Sequence, residues 1–288
     1  MAKNGRRGIG FPRKSVGTNQ KSCGKLTSIL VARLIHNPIL KVLSSIRKHQ
    51  VRALLMGGQA CVFYGAAEFS RDTDLAILAN SENLARLKKS LADLKAELIA
   101  VPPFEAKYLR KGHAVHFRCN HADALGMRVD VMTKMRGVDP FSKLSTRRTT
   151  IEVDGSTIDL MGLPDLVQAK KTQRDKDWPM VRRLVEVNYF ENRGNPTKEQ
   201  IKFWFLELRT PKLLLELATH SRTPPQLFRQ RPLLKALKLE DESILAKLLT
   251  EEEEKEREAD RDYWRPLKKE LERLRHRRLS SATRKPRT

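Results

Sequence analysis

"GGQACVFYGAAEFSRDTDLAI", residues 57–77, opens on a glycine pair and closes on two aspartates one residue apart, Asp72 and Asp74. The run before it, "VRALLMGG" at 51–58, is short and apolar and predicts a buried strand ending in a phosphate-sized turn. Residues 59–68 can form a helix, and "TDLAIL" predicts a second strand beside the first. Backbone N–H groups at a helix N-terminus suit a phosphate, and glycine, with no Cβ, lets one approach closely. Two residues apart on a strand, Asp72 and Asp74 point to one face, where their charges repel unless a cation joins them. Oxygen ligands beside phosphates favour Mg²⁺, which shares its shell with a nucleotide more readily than it fills an all-protein cage. A third carboxylate should then approach from a neighbouring strand. Asp130, in "MRVDVMT" at 127–133, is the candidate, because a lone charge in an apolar strand is costly.

Working outward, "NPILKVLSSIRKHQ" predicts a helix with Asn37 as cap and Pro38 at its first position, after an apolar helix at about 26–36. "SENLARLKKSLADLKAEL" is an amphipathic helix with Ser81 as cap. "HAVHFRC" at 113–119 is a further strand beside 127–133, and Asp154-Gly155 joins "RRTTIEV" to "STIDLMG" as a hairpin. "LPDLVQAKKTQRDKDWPMVRRLVEVNYF" is helical at both ends. Beyond residue 195 only helices are expected, at 197–208, 210–220, 225–238 and 240–260 continuing to about 279. The fold class is therefore α/β (α+β), a small mixed sheet with flanking helices followed by an all-helical C-terminal region. The expected divisions are a disordered basic extension at 1–25, the α/β domain at 26–190, a short link at Asn192–Pro196, helices at 195–280 and a basic tail at 281–288.

The net charge of +23 is concentrated at the ends. Residues 1–25 hold seven Lys/Arg and no acid, and residues 265–288 hold ten Lys/Arg and two Glu. Such ends fit a polyanion such as RNA, or they only keep the chain in solution. Three scattered cysteines, Cys23, Cys61 and Cys119, support neither a disulfide framework nor a cysteine zinc site and fit a reducing cytoplasm. No apolar run reaches the length of a membrane span. Several features read more simply as structure. Lys170, Lys171, Arg174 and Lys176 taken alone, and the runs "EEEEKERE" and "KKELERLRHRR", look like solvated helix faces. His113, His116 and His121 match no zinc spacing, and Trp178, Trp204 and Trp264 are expected to pack rather than to stack bases.

"GGQA" followed by "FSRDTDLAI" resembles the signature of the nucleotidyltransferase superfamily related to DNA polymerase β: an apolar residue (Met56), a glycine pair, a spacer, then Asp-x-Asp. Here the spacer is residues 59–71. Ser70–Leu75 is most similar to the AbiEii-type branch, which includes toxins of toxin–antitoxin systems. "LPDLVQAKKTQRDKDW" resembles that branch's later motifs, with the helix lysine at Lys170 or, one register on, Lys171. The resemblance covers roughly residues 38–190. It implies a sheet and helices of nucleotidyltransferase type and transfer of an NMP from an NTP to an acceptor hydroxyl. Gly57 and Gly58 would contact the nucleotide phosphates. Asp72 and Asp74 would bind two Mg²⁺ ions and Asp130 the catalytic one. Lys170 and Arg174 would hold the triphosphate, and Asp177 would orient Lys170 or the nucleotide. The acceptor would be RNA, a small molecule as in antibiotic adenylyltransferases, or a protein hydroxyl. An antitoxin protein is the further partner the toxin branch brings in. A non-catalytic binding module on the same fold is the reading from another class. Thr73, between the aspartates, stands where an apolar residue is common.

Overall fold

Alternation along the strands decides the architecture. The computed structural model describes residues 37–153 and 155–283. The expected extension at 1–25, the helix at 26–36, Asp154 and residues 284–288 lie outside them. Seven strands form one mixed sheet in the order β3-β4-β5-β2-β1-β7-β6. They are β1 (Ala53–Met56), β2 (Asp72–Ile77), β3 (Glu97–Leu98), β4 (Val115–Arg118), β5 (Arg128–Met132), β6 (Thr149–Val153) and β7 (Ser156–Leu160). β1 pairs antiparallel with β2, and β2 pairs parallel with β5. The hairpin expected around Asp154-Gly155 is the β6–β7 pair.

Leu55, Leu75, Ile77, Val129 and Val131 face one apolar core, while Leu54, Met56 and Ala76 face another. This is the two-residue period of a sheet buried on both sides. The first core is covered by α1 (Asn37–Lys48), through Ile39, Val42 and Ile46, and by α3 (Ser81–Asp93), through Leu84, Leu87 and Leu91. The cap of α3 is Asn80, one residue before the expected Ser81, and its side chain accepts from the Asn83 N–H. α4 (Ala106–Lys111) adds Leu109 to the same core.

The second core is larger. It joins α2 (Gly57–Phe63), α5 (Phe141–Thr146), α6 (Leu163–Lys170) and α7 (Asp177–Asn192) to α8 (Lys198–Glu207), α9 (Pro211–His220), α10 (Leu227–Gln230) and α11 (Glu242–Thr283). Trp204 and Phe205 of α8, Leu214 of α9 and Leu245 of α11 thus share one apolar interior with Leu54 and Ala76 of the sheet. α8 starts at a capping box between Thr197 and Gln200. The single helix expected at 225–238 is two pieces, α10 and a 3₁₀ segment Pro232–Leu239, because Pro232 removes a backbone donor.

α11 corrects the reading of "EEEEKERE" as a solvated face. Glu252 accepts from Arg231 Nη2 (2.8 Å) and lies 3.2 Å from Arg209 Nη1, and both guanidinium groups are buried. Glu256 accepts from Arg136 (2.5 Å), and Arg257 pairs with Asp175. Only the outer side, with Glu254, Lys255 and Glu258, is exposed as expected. Further along, Glu270 lies 2.9 Å from the buried His113 Nε2 and accepts from Lys111. These two bonds, His113's first, hold the Glu270 carboxyl down at about 2. A carboxylate held below its unfolded value near 4.5 stabilises the fold above that value and loses the contribution as pH falls towards 2. The C-terminal half of α11 is therefore expected to exchange amide hydrogens faster, relative to the core, between about pH 4.5 and 2. Glu270→Gln should exchange fast already at pH 7, and equal protection in the two proteins at pH 7 would contradict this.

Candidate functional site

On the face of the sheet covered by α6–α11, the helical layer leaves one end of β2 and β5 open. There a cleft of about 570 Å³ is lined by Gly57, Gly58, Asp72, Asp74, Asp130 and Lys170, among others. The β2–β5 register sets Asp74 directly beside Asp130, and Asp72 lies two residues back on the same face. The β1–β2 register sets Met56 beside Asp74, so the chain turns into α2 immediately over that carboxylate. The helix begins at Gly57 itself rather than at residue 59, and ends at Phe63.

Gly57 has φ +68°, and a Cβ there would overlap the Asp74 carboxylate. Both the backbone conformation and the space therefore require glycine. At Gly58 a Cβ would stand 2.7 Å from Ser70 Oγ, so the missing side chain makes room for a hydroxyl brought from the far end of the loop. Thr73 is fully buried facing the other core, and its hydroxyl has no hydrogen-bond partner among the described residues. An apolar residue would fill that place without an unpaired donor.

The electrostatics are uneven. Burial first, then the nearby Asp130, raises the Asp74 carboxyl to about 6, with Lys170 and the Gly58 N–H acting against them. Asp130 is buried, and its Oδ1 accepts from Arg128 Nε (2.7 Å) and lies 2.8 Å from His116 Nδ1. Among the described residues, no three His, Cys, Asp or Glu side chains are gathered as a ready metal-binding group. The donor set nonetheless suits a hard divalent cation: three carboxylates on adjacent strands, one with its proton affinity raised by burial and then by the neighbouring Asp130. His113, His116 and His121 do not converge. They sit against Glu270, Asp130 and the Asp123 N–H respectively.

Lys170 and Lys171 correct the reading of a solvated basic face, since both are 7 % exposed. Lys170, at the end of α6, donates to Asp177 Oδ1 (3.1 Å), whereas Lys171 pairs with Glu207 (2.7 Å). Asp177, at the start of α7, also accepts from Thr172 Oγ1 (2.6 Å) and Arg174 Nε (2.7 Å). Burial would raise its carboxyl, but Lys170, Thr172 and Arg174 together hold it below the ordinary value. Asp177 thus gathers the two cations that the family resemblance would set on a triphosphate. A non-helical break, residues 171–176, folds Lys170 back onto Asp177.

The wall that the sequence reading missed comes from α11. Asp260, Trp264 and Lys268, four residues apart, all line the cleft. Asp260 accepts from the Gln173 N–H (2.8 Å) and from Trp264 Nε1 (3.1 Å), while Lys268 donates to Gln173 Oε1 (3.2 Å). Arg136 donates to the Lys171 carbonyl (2.9 Å). The 171–176 segment is therefore fastened from behind by the C-terminal helix. Trp178 and Trp204 pack in the interior as expected, but Trp264 stands half-buried at the cleft.

The structure is similar to the crystal structure of an antigenic nucleotidyltransferase-like protein from Paracoccidioides brasiliensis, at 17% identity and a TM-score of 0.36, over 73% of this chain and 93% of that one. No protein-family model and no curated protein matches the sequence. A likeness this loose leaves the chemistry to be argued from the cleft. Among the described residues no helix is long and apolar enough to cross a membrane.

Proposed function

We propose that the protein is a Mg²⁺-dependent nucleotidyltransferase that moves an NMP from an NTP to an acceptor hydroxyl, with RNA as the acceptor. The observation that carries this reading is the parallel β2–β5 register. It brings Asp74 beside Asp130, with Asp72 on the same face, in one cleft with Gly57, Gly58 and Lys170. Gly57 and Gly58 admit the triphosphate against backbone, with Ser70 Oγ alongside. Lys170 and Arg174, pre-oriented by Asp177, neutralise its oxygens. Asp72, Asp74 and Asp130 would hold Mg²⁺, which polarises the phosphates and stabilises the attacking and leaving oxygens. A bond forms from the acceptor oxygen to the α-phosphorus and the α–β anhydride bond breaks, so pyrophosphate leaves against Lys170 and Arg174. The hydroxyl proton passes to the Asp130 carboxylate.

RNA is favoured by the exposed Lys269, Arg273, Arg275 and Arg277, which continue the helix that walls the cleft. The toxin branch and its antitoxin rest on the sequence resemblance alone. One observation favours the second reading, a non-catalytic nucleic-acid or partner-binding module on the same fold: Arg128 and His116 already satisfy Asp130. The experiment supplies each labelled NTP with Mg²⁺ and total RNA. The wild type should label RNA and the Asp72→Ala/Asp74→Ala double variant should not. Full labelling by the double variant would show the chemistry assigned to the wrong residues.

A further inference from the structure

Two aromatic side chains at the cleft have no role in the nucleotide reading. Phe69 lies in the loop between α2 and β2 and is 64% exposed, a large apolar surface at the mouth of a charged cleft. Arg71, two residues on, stands over its ring at 5.9 Å and also lines the cleft. Trp264 comes from α11, with its indole N–H fixed to Asp260 and its ring braced edge-on by Tyr263 at 5.2 Å. Lys268 follows one turn later. Each aromatic is thus accompanied by a cation, and Arg174 and Lys176 line the same cleft.

An exposed phenylalanine costs solubility, and the arginine over one face of this ring leaves most of it open. Flat apolar faces interleaved with cations are what unstacked bases on a phosphate backbone require, because every base offers a π-face and every linkage a negative charge. A duplex hides its bases, whereas single-stranded RNA ends splay theirs onto aromatic and arginine planes. We infer that Phe69–Arg71 and Trp264–Lys268 form the binding site for a single-stranded RNA end, stacking its terminal bases while the cations take the adjoining phosphates, so that its terminal hydroxyl reaches the aspartates. This rests on the nucleotidyltransferase reading, whose acceptor site it locates. The basic end of α11 then tracks the rest of the strand, since it continues from the same helix.

The test measures binding of a fluorescein-labelled 12-nucleotide single-stranded RNA to the full chain, beside its blunt duplex, polyglutamate and Mg²⁺·ATP. Phe69→Ala should weaken the single strand about tenfold, the scale of one lost base stack, and leave Mg²⁺·ATP affinity unchanged. Phe69→Tyr should restore it, and Trp264→Phe, which keeps a ring, should lose less than Trp264→Leu. Thermal melting of each variant separates a lost contact from a lost fold at Trp264, and the surface position of Phe69 keeps the test decisive if Trp264 variants unfold. Unchanged RNA affinity in Phe69→Ala overturns the inference, as does equal affinity for duplex or polyglutamate, which would mean that charge alone binds. If Mg²⁺·ATP still binds in those cases, the nucleotidyltransferase reading survives the loss. If Mg²⁺·ATP binds to none of the proteins while the single strand still depends on Phe69, the RNA site stands and the nucleotidyltransferase reading falls.

Discussion

Asp74→Asn will transfer nucleotide at least about a thousandfold more slowly than the parent, and in the absence of metal it will melt at a higher temperature. The rate loss follows from removing one of the charges that the proposed function gives to the cation, which would contribute several kcal/mol to the transition state at about 1.4 kcal/mol per tenfold. The stability gain has the opposite origin. Burial and the neighbouring Asp130 raise the Asp74 carboxyl to about 6, well above its unfolded value of 3.8. A carboxylate with a raised folded value opposes folding once ionised, so stability falls as pH rises from about 4 to 6 and stays lower above that. Asparagine keeps the shape, and its oxygen can accept the Gly58 N–H, without the charge. The gain should therefore be full at pH 7 and vanish near pH 4. Melting curves in EDTA at pH 4, 6 and 7 read it directly. An Asn variant less stable than the parent at pH 7 would mean that Asp74 is satisfied by the fold and is not waiting for a cation.

Glu252→Ala will destabilise the fold by about 3–5 kcal/mol, the usual cost of breaking a buried ion pair from one side. Arg231, 2 % exposed, loses its three hydrogen bonds to the carboxylate and, among the described residues, keeps its bond to the Phe205 carbonyl (3.0 Å). Arg209, 6 % exposed, loses its nearest carboxylate and is left over the ring of Trp178 at 4.7 Å. At about 2–4 °C per kcal/mol for a chain approaching this size, the melting temperature should drop by roughly 10 °C. The consequence reaches the cleft, because α11 carries Asp260, Trp264 and Lys268. Transfer should therefore fall before global unfolding, with a raised apparent KM for RNA. A loss under about 2 °C, with unchanged kinetics, would show that α11 is held by its apolar contacts alone.

The strand–glycine–aspartate reading was legible because it depends on local rules. The two-residue period set Asp72 and Asp74 on one face, and an acidic residue in an apolar strand pointed to Asp130. Pairing order is not local, so only the structure shows β2 beside β5 in parallel and the aspartates in register. Helices after residue 195 were visible by period, but their partners were not. Glu252 and Glu256 look like a solvated stripe until Arg231 and Arg136, up to 120 residues away in sequence, come to meet them. The burial of Lys170 and Lys171 was hidden for a similar reason: a charged pair reads as surface unless Asp177 and Glu207 are known to pack against it. Arg128 and His116 carried no signal, since their part comes only from lying beside Asp130 on β5 and on the neighbouring β4.

On the proposed function, three aspartates and a glycine-backed cradle await a metal-bound triphosphate. Calorimetric titration of ATP and the other NTPs into the full chain, with Mg²⁺ and with EDTA, tests it most directly. Binding should require Mg²⁺ and disappear in the Asp72→Ala/Asp74→Ala variant. Nucleotide binding of equal strength with and without the metal, or retained by that variant, would contradict it.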